Sequence, residues 1–261
     1  MFGEHYDLSR RFRPATNEGD EDRPFRGLFG DDLKGTPAWP ELLEKRRTII
    51  LAEAGSGKSS EFDYQCSALR QANKFAFKAT VRDVADAGLE ASLVPTDRAR
   101  FAKWRAHPDA PCWLFVDSVD EAKDQGHHFD AACRKLADAI AGLEERVHLY
   151  ISSRYTDWDK TADRISVEKW LSLPEPPPPP TDIADEVRAT LQNRDKSPPR
   201  VREEIGALVM EPRSRWQVER FARASGIETI DALLAAIDHG SLWAFAARPM
   251  DLGWMVEFWR D

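Results

Sequence analysis

The stretch Thr48-Ile-Ile-Leu-Ala52-Glu-Ala-Gly55-Ser-Gly57-Lys58-Ser59 joins a short apolar run to a glycine-rich turn that ends in lysine and serine. An apolar run of this length, bounded by turn signals, reads as a strand buried on both faces. The residues after the turn, Gly57–Asn73, read as a helix. A glycine-rich turn between a buried strand and a helix suits an anion. Glycines present backbone N–H groups without a Cβ in the way, and the helix N-terminus carries positive potential. Lys58 would reach the outer phosphates of such a ligand, and the Ser59 hydroxyl would hold Mg²⁺. Ala52 stands where the usual phosphate-binding loop has its first glycine. The plainer alternative is a strand–helix turn with an exposed lysine; the flanking strand and helix favour phosphate binding.

Outward from this point, strand and helix signals alternate. A short helix from Trp39 to Arg47 leads into the first strand. Phe75–Ala79, Cys112–Asp117 and Val147–Ser152 read as further strands, with helical stretches through Val81, Val84 and Leu89 and over His128–Leu143 between them. Apolar strands separated by helices predict an α/β fold: a parallel sheet with helices on both faces, here over residues 37–172. Residues 1–36 mix Arg10, Arg11 and Arg13 with an acidic stretch and show no period, so they read as an irregular N-terminal arm. Leu173-Pro-Glu-Pro-Pro-Pro-Pro-Pro180 reads as a semi-rigid polyproline spacer of roughly 20 Å rather than a Pro-rich ligand. It opens an insertion over 173–210 that is expected to be helical, with Ile183, Val187 and Leu191 as its stripe. Residues 211–261 then read as a small α-helical subdomain. Ser214-Arg-Trp-Gln217 is a capping-box pattern, Gly226 a stop, and Thr229 and Gly240 the cap and end of a further helix.

Two other strand ends carry chemistry. Cys112-Trp-Leu-Phe-Val-Asp117-Ser118-Val-Asp120-Glu121 places carboxylates at the C-terminal tip of a buried strand, where ligands of open parallel sheets bind. Asp117 would complete a Mg²⁺ shell, and either Asp120 or Glu121 would orient or activate an attacking water. Val147-His-Leu-Tyr-Ile-Ser-Ser153-Arg154 is a second buried strand with a polar end. If it neighbours the first, Arg154 lands near the terminal phosphate.

Composition narrows the classes. Among 261 residues, 37 Lys and Arg face 45 Asp and Glu, a net charge of −8 that argues against sequence-independent binding of nucleic acid or anionic membrane. No apolar run approaches the ~20 residues that span a bilayer. The charged start differs from a signal peptide, and the odd, unpatterned Cys66, Cys112 and Cys133 fit a reducing compartment, so a cytoplasmic location is expected. The adjacent His127 and His128 do not share a helix face as a metal pair would.

In this order the three strand ends resemble the NACHT group of P-loop NTPases, in the STAND class related to AAA+ proteins. The loop Glu53-Ala-Gly-Ser-Gly-Lys-Ser59 is very like theirs. So is the acidic box, where the small Ser118 follows Asp117 and two more acids follow one residue later. Phe75–Ala79 falls between loop and box, as in that division. Gln217-Val-Glu-Arg-Phe-Ala and Leu242-Trp-Ala-Phe-Ala-Ala-Arg248-Pro249-Met-Asp-Leu252 match the helical subdomain and its proline motif. The likeness covers about residues 37–261 and implies an ATP/ADP-governed switch with slow hydrolysis, of the kind that serves signalling and antiphage defence. It implies nucleotide contacts from Glu53, Ala54, Gly55, Ser56, Gly57, Lys58, Ser59 and Ser60, and an adenine contact from Pro249. Mg²⁺ would be held by Ser59 and Asp117, with Asp120, Glu121 and Arg154 as the catalytic set. Such proteins usually carry effector and sensor domains, so the apolar segment Met250–Trp259 is expected to be buried in its own subdomain or to meet another copy or a separate domain. Ala52, and the lack of an evident effector, point to the alternative: a non-hydrolysing nucleotide-binding module of a larger assembly.

Overall fold

The structure, a computed structural model, describes residues 10–15, 36–124, 128–174 and 205–260. Its centre is β2 (Arg47–Ala52), buried at every position. Because strand side chains alternate, Ile49 and Leu51 enter one core while Ile50 and Ala52 enter another. Five more strands join it: β1 (Phe12–Pro14), β3 (Phe75–Thr80), β4 (Cys112–Asp117), β5 (Val147–Arg154) and β6 (Gly206–Met210). They form one sheet in the order β1-β6-β2-β5-β4-β3. All neighbours run parallel except β1, which is antiparallel to β6.

Helices cover both faces, as expected of an α/β sheet. On one face α1 (Trp39–Leu43) and α2 (Lys58–Gln71) set Trp39, Leu42, Phe62 and Cys66 against Ile50, Phe115 and Tyr150. On the other lie α3 (Val81–Ala87), α4 (Leu89–Ser92), α5 (Pro95–Ala106), α6 (Val119–Asp124), α7 (Phe129–Ile140) and α8 (Ala162–Leu171). Four helices, α9 (Arg215–Ala224), α10 (Ile230–His239), α11 (Trp243–Ala246) and α12 (Pro249–Arg260), close a third core around Val218, Leu233, Ile237, Leu252 and Val256. Gln217 Oε1 accepts from the Ser214 N–H at the start of α9, where the expected capping box forms. No helix of the described residues is long and apolar enough to cross a membrane.

Two elements differ from the sequence expectation. The arm is not wholly irregular, since Phe12–Pro14 is an edge strand. Nor is everything beyond the polyproline run helical, since Gly206–Met210 is a strand beside β2. β1 is three residues long with one buried side chain between arginines, so it has no period to read; Pro14 ends it, as an edge strand permits. The rest of the expected insertion, 175–204, lies outside the described residues, as does His127. Met250–Trp259 falls within α12, whose Leu252 and Val256 are buried while Trp254 and Phe258 are exposed.

Phe12 anchors β1. It is fully buried, and its ring meets Trp39 edge-on at 5.1 Å. Phe12→Ala is expected to cost about 3–5 kcal/mol in urea unfolding, the range for a buried aromatic truncation. An unchanged midpoint would show that β1 adds nothing to the folded body.

Candidate functional site

Register brings the strand ends together. Ala52 of β2 pairs with Arg154 of β5, and Thr80 of β3 pairs with Asp117 of β4. The chain after β2 therefore opens beside the acidic end of β4 and the basic end of β5. Gly55 and Gly57 sit at φ of +71° and +91°, a region that favours glycine, and Gly57 caps α2. Above the loop lies the start of α12. A Cβ on Gly57 would stand 3.0 Å from Pro249 Cγ, and one on Gly55 would stand 3.6 Å from Met250 Cε.

The result is a cavity of about 840 Å³. Its walls are the loop and the start of α2 (Ala54 through Glu61), Ser118, Asp120 and Glu121 after β4, Arg154 at the end of β5, and Arg213, Phe221, Pro249 and Met250 from the helical part. Of the residues singled out in the sequence, Ala54, Gly55, Ser56, Gly57, Lys58, Ser59, Ser60, Asp120, Glu121, Arg154 and Pro249 thus share one cavity. Glu53 and Asp117 are not among its lining residues.

Lys58 folds its ammonium back onto the carbonyls of Ala52 (3.1 Å) and Glu53 (3.3 Å). Burial pushes its pKa down, and the carboxylates of Asp120 and Asp117 oppose that shift. Asp117 is buried at the tip of β4, where Ser152 of the neighbouring β5 donates to its Oδ1. The Ser152 hydroxyl in turn accepts from the Ser118 N–H at 3.0 Å, across a residue held at φ +69°. Ser152 thereby fixes both the carboxylate and the sharp turn into α6. Lys78 of β3 approaches from the other side: its ammonium lies 3.6 Å from Asp117 Oδ2, 2.9 Å from Asp63 and 3.1 Å from the Ser59 carbonyl. Asp117 and Ser59 are therefore tied to one ammonium. A carboxylate and a hydroxyl are the donors that a hard divalent cation takes when phosphates and water fill its other positions. Among the described residues, no group of three or more His, Cys, Asp or Glu is arranged to hold a metal by itself.

Asp120 and Glu121 separate cleanly. Asp120 is buried, and both its oxygens are committed: Oδ2 pairs with Arg154 Nε at 2.9 Å, and Oδ1 accepts from the Arg154 N–H at 3.2 Å. Glu121 is exposed and faces the cavity. Sequence reading missed Lys78, Ser152 and Arg213. A lysine inside the otherwise apolar run Phe75–Ala79 is the one signal that could have drawn attention to Lys78.

No family model matches the chain, and no curated protein matches it. Among solved structures it is similar to one titled as Drosophila ORC bound to GC-rich DNA and Cdc6, at 18% identity and a TM-score of 0.29. The match covers 47% of this chain and 47% of that one, too slight a likeness to carry any argument about function.

Proposed function

We propose that the protein is a P-loop nucleotide-binding switch of NACHT type that binds ATP or ADP and hydrolyses ATP slowly. The observation that carries this reading is the convergence of the glycine loop, Lys58, Glu121 and Arg154 on one cavity at the C-terminal edge of a parallel sheet. Loop N–H groups and the Lys58 ammonium would hold the phosphates, with Lys58 exchanging two carbonyl partners for stronger charge-assisted bonds. Mg²⁺, taken by Asp117 and Ser59, would neutralise charge on the phosphate oxygens. Glu121 would accept the proton of the attacking water as the oxygen bonds to the terminal phosphorus and the bridging P–O bond breaks. Arg154 would meet the charge that develops, held in place by Asp120.

The test is to denature purified protein and identify the nucleotide it releases. Protein that carries none is then melted with ATP and Mg²⁺. Saturation to a hundred times Kd is expected to add about 2.7 kcal/mol, which raises the melting temperature by roughly 5–10 °C for a chain of this size. Protein that releases no nucleotide and whose melting temperature does not move with ATP and Mg²⁺ overturns the proposal. Binding without turnover leaves the non-hydrolysing module in its place.

A further inference from the structure

Three guanidinium groups and two carboxylates meet behind the glycine loop. Arg13 Nε pairs with Glu211 at 2.8 Å. Arg10 Nε lies 3.5 Å from Glu61 Oε1, and its Nη2 donates to the Ser56 carbonyl and to Met210 Sδ. The second oxygen of Glu61 accepts from Trp39 Nε1 at 2.9 Å. Both carboxylates are thus engaged, and Arg213 remains. It is 7% exposed and lines the cavity, and its Nε and Nη1 have no hydrogen-bond partner among the described residues. Its guanidinium sits 5.3 Å from the Phe221 ring, a contact that fixes the group without satisfying its N–H donors.

A buried guanidinium with two nitrogens left without acceptors is costly, and a fold that keeps one beside a ligand cavity has left a place for an anion. A guanidinium presents its donors as a planar fork that matches two oxygens of a phosphate. We infer that Arg213 is a phosphate ligand: it contacts the anion held by the glycine loop, from the junction of β6 and α9. This inference rests on the nucleotide reading above and adds a contact that the loop itself does not supply. The position has a mechanical consequence. The Arg213 N–H donates to the Ala247 carbonyl at 3.3 Å, one residue before Arg248 and Pro249, which begin the segment covering the loop. A phosphate gripped by Arg213 would therefore add a second tie between the sheet and the helices beside this backbone bond. The burial that lowers the Arg213 pKa to about 9, with Arg10 adding to the effect and Glu61 opposing it, leaves the group mostly charged at neutral pH.

The experiment measures the binding of pyrophosphate, ADP and adenosine to wild-type protein, Arg213→Met and Arg213→Lys by calorimetry, with melting curves of each protein without ligand. Pyrophosphate tests the anion without a base, and adenosine the base without an anion. Arg213→Met is expected to weaken pyrophosphate and ADP by about tenfold to a hundredfold, as the loss of a charged hydrogen bond does. Adenosine should bind as before, Arg213→Lys should recover part of the loss, and the ligand-free Met variant should melt no lower than wild type because a buried guanidinium with two nitrogens left without acceptors is gone. Wild-type protein that binds both pyrophosphate and ADP, beside a Met variant that binds them equally well, overturns the assignment alone. So does a loss confined to ADP and adenosine, which would place Arg213 at the base. So does a Met variant that melts lower yet shows unchanged affinities, which would make Arg213 a structural group packed on Phe221. Wild-type protein that binds neither pyrophosphate nor ADP overturns the nucleotide reading, and this inference with it.

Discussion

Replacing Lys58 by methionine is expected to raise the Kd for ATP at least a hundredfold, about 2.7 kcal/mol, while the ligand-free protein keeps its melting temperature. The two halves of this expectation have one cause. In the ligand-free protein the ammonium is partly desolvated and, among the described residues, bonded to two backbone carbonyls, so its removal costs the fold little. Bound to phosphates, the same group would make charge-assisted bonds worth about 1.5–3 kcal/mol each, and the Met side chain makes none. The pH dependence follows from the same burial. The Lys58 pKa lies below the 10.5 of a free lysine, because burial disfavours the charged form, and phosphate binding would raise it. Affinity is therefore complete well below the lowered pKa and falls as pH rises through it, a decline that the methionine variant should lack at this group. Calorimetry with ATP and Mg²⁺ measures both. An affinity unchanged in Lys58→Met would make the glycine loop a plain strand–helix turn.

How far the sequence reveals this site depends on whether the information is local. β2 and β4 are legible because each is a continuous apolar run, and a strand buried on both faces needs nothing else to declare it. The glycine loop is legible because its backbone requirements, φ of +71° and +91°, are written in two glycines four and six residues before Glu61. β6 is not, because Gly206-Ala-Leu-Val-Met210 becomes a strand by pairing with β2 more than 150 residues upstream, and a five-residue apolar run is equally readable as helix. Ser152 is hidden for a related reason. Its role exists only because β5 lies next to β4, which puts the hydroxyl against Asp117. Lys78 depends on the pairing of β3 with β4. Arg213 is the extreme case, since one arginine in Glu211-Pro-Arg213-Ser214 reads as a surface residue until its burial is known. Arg10 likewise belongs to a stretch that looks like a solvated arm, yet its side chain is enclosed and touches the loop through the Ser56 carbonyl.

The sequence also leaves two acids for one task, and here the structure makes the sharper prediction. A general base must reach the water it deprotonates and have a lone pair free to receive the proton. Asp120 is the poorer candidate: it is 3% exposed, and each of its oxygens is already engaged by Arg154, one by Nε and one by the backbone N–H, an ion pair that protonation would break. Glu121, one residue on, turns into the cavity. Glu121→Gln is therefore expected to lower ATP turnover by about 10²–10⁴, the contribution of a positioned base, with the Kd for ATP and the melting temperature of the ligand-free protein unchanged. Asp120→Asn should behave differently. The amide keeps the size of the side chain but replaces one acceptor with a donor facing a guanidinium, so Arg154 loses its ion pair and the end of β5 loses a buried contact. The ligand-free protein should melt lower, and turnover should fall through a misplaced arginine rather than a missing base. Single-turnover hydrolysis and melting curves of the two variants separate these roles. An Asn variant as stable as wild type but inactive, beside a Gln variant that turns over normally, would move the base to Asp120 and leave Glu121 a solvated acid at the rim of the cavity.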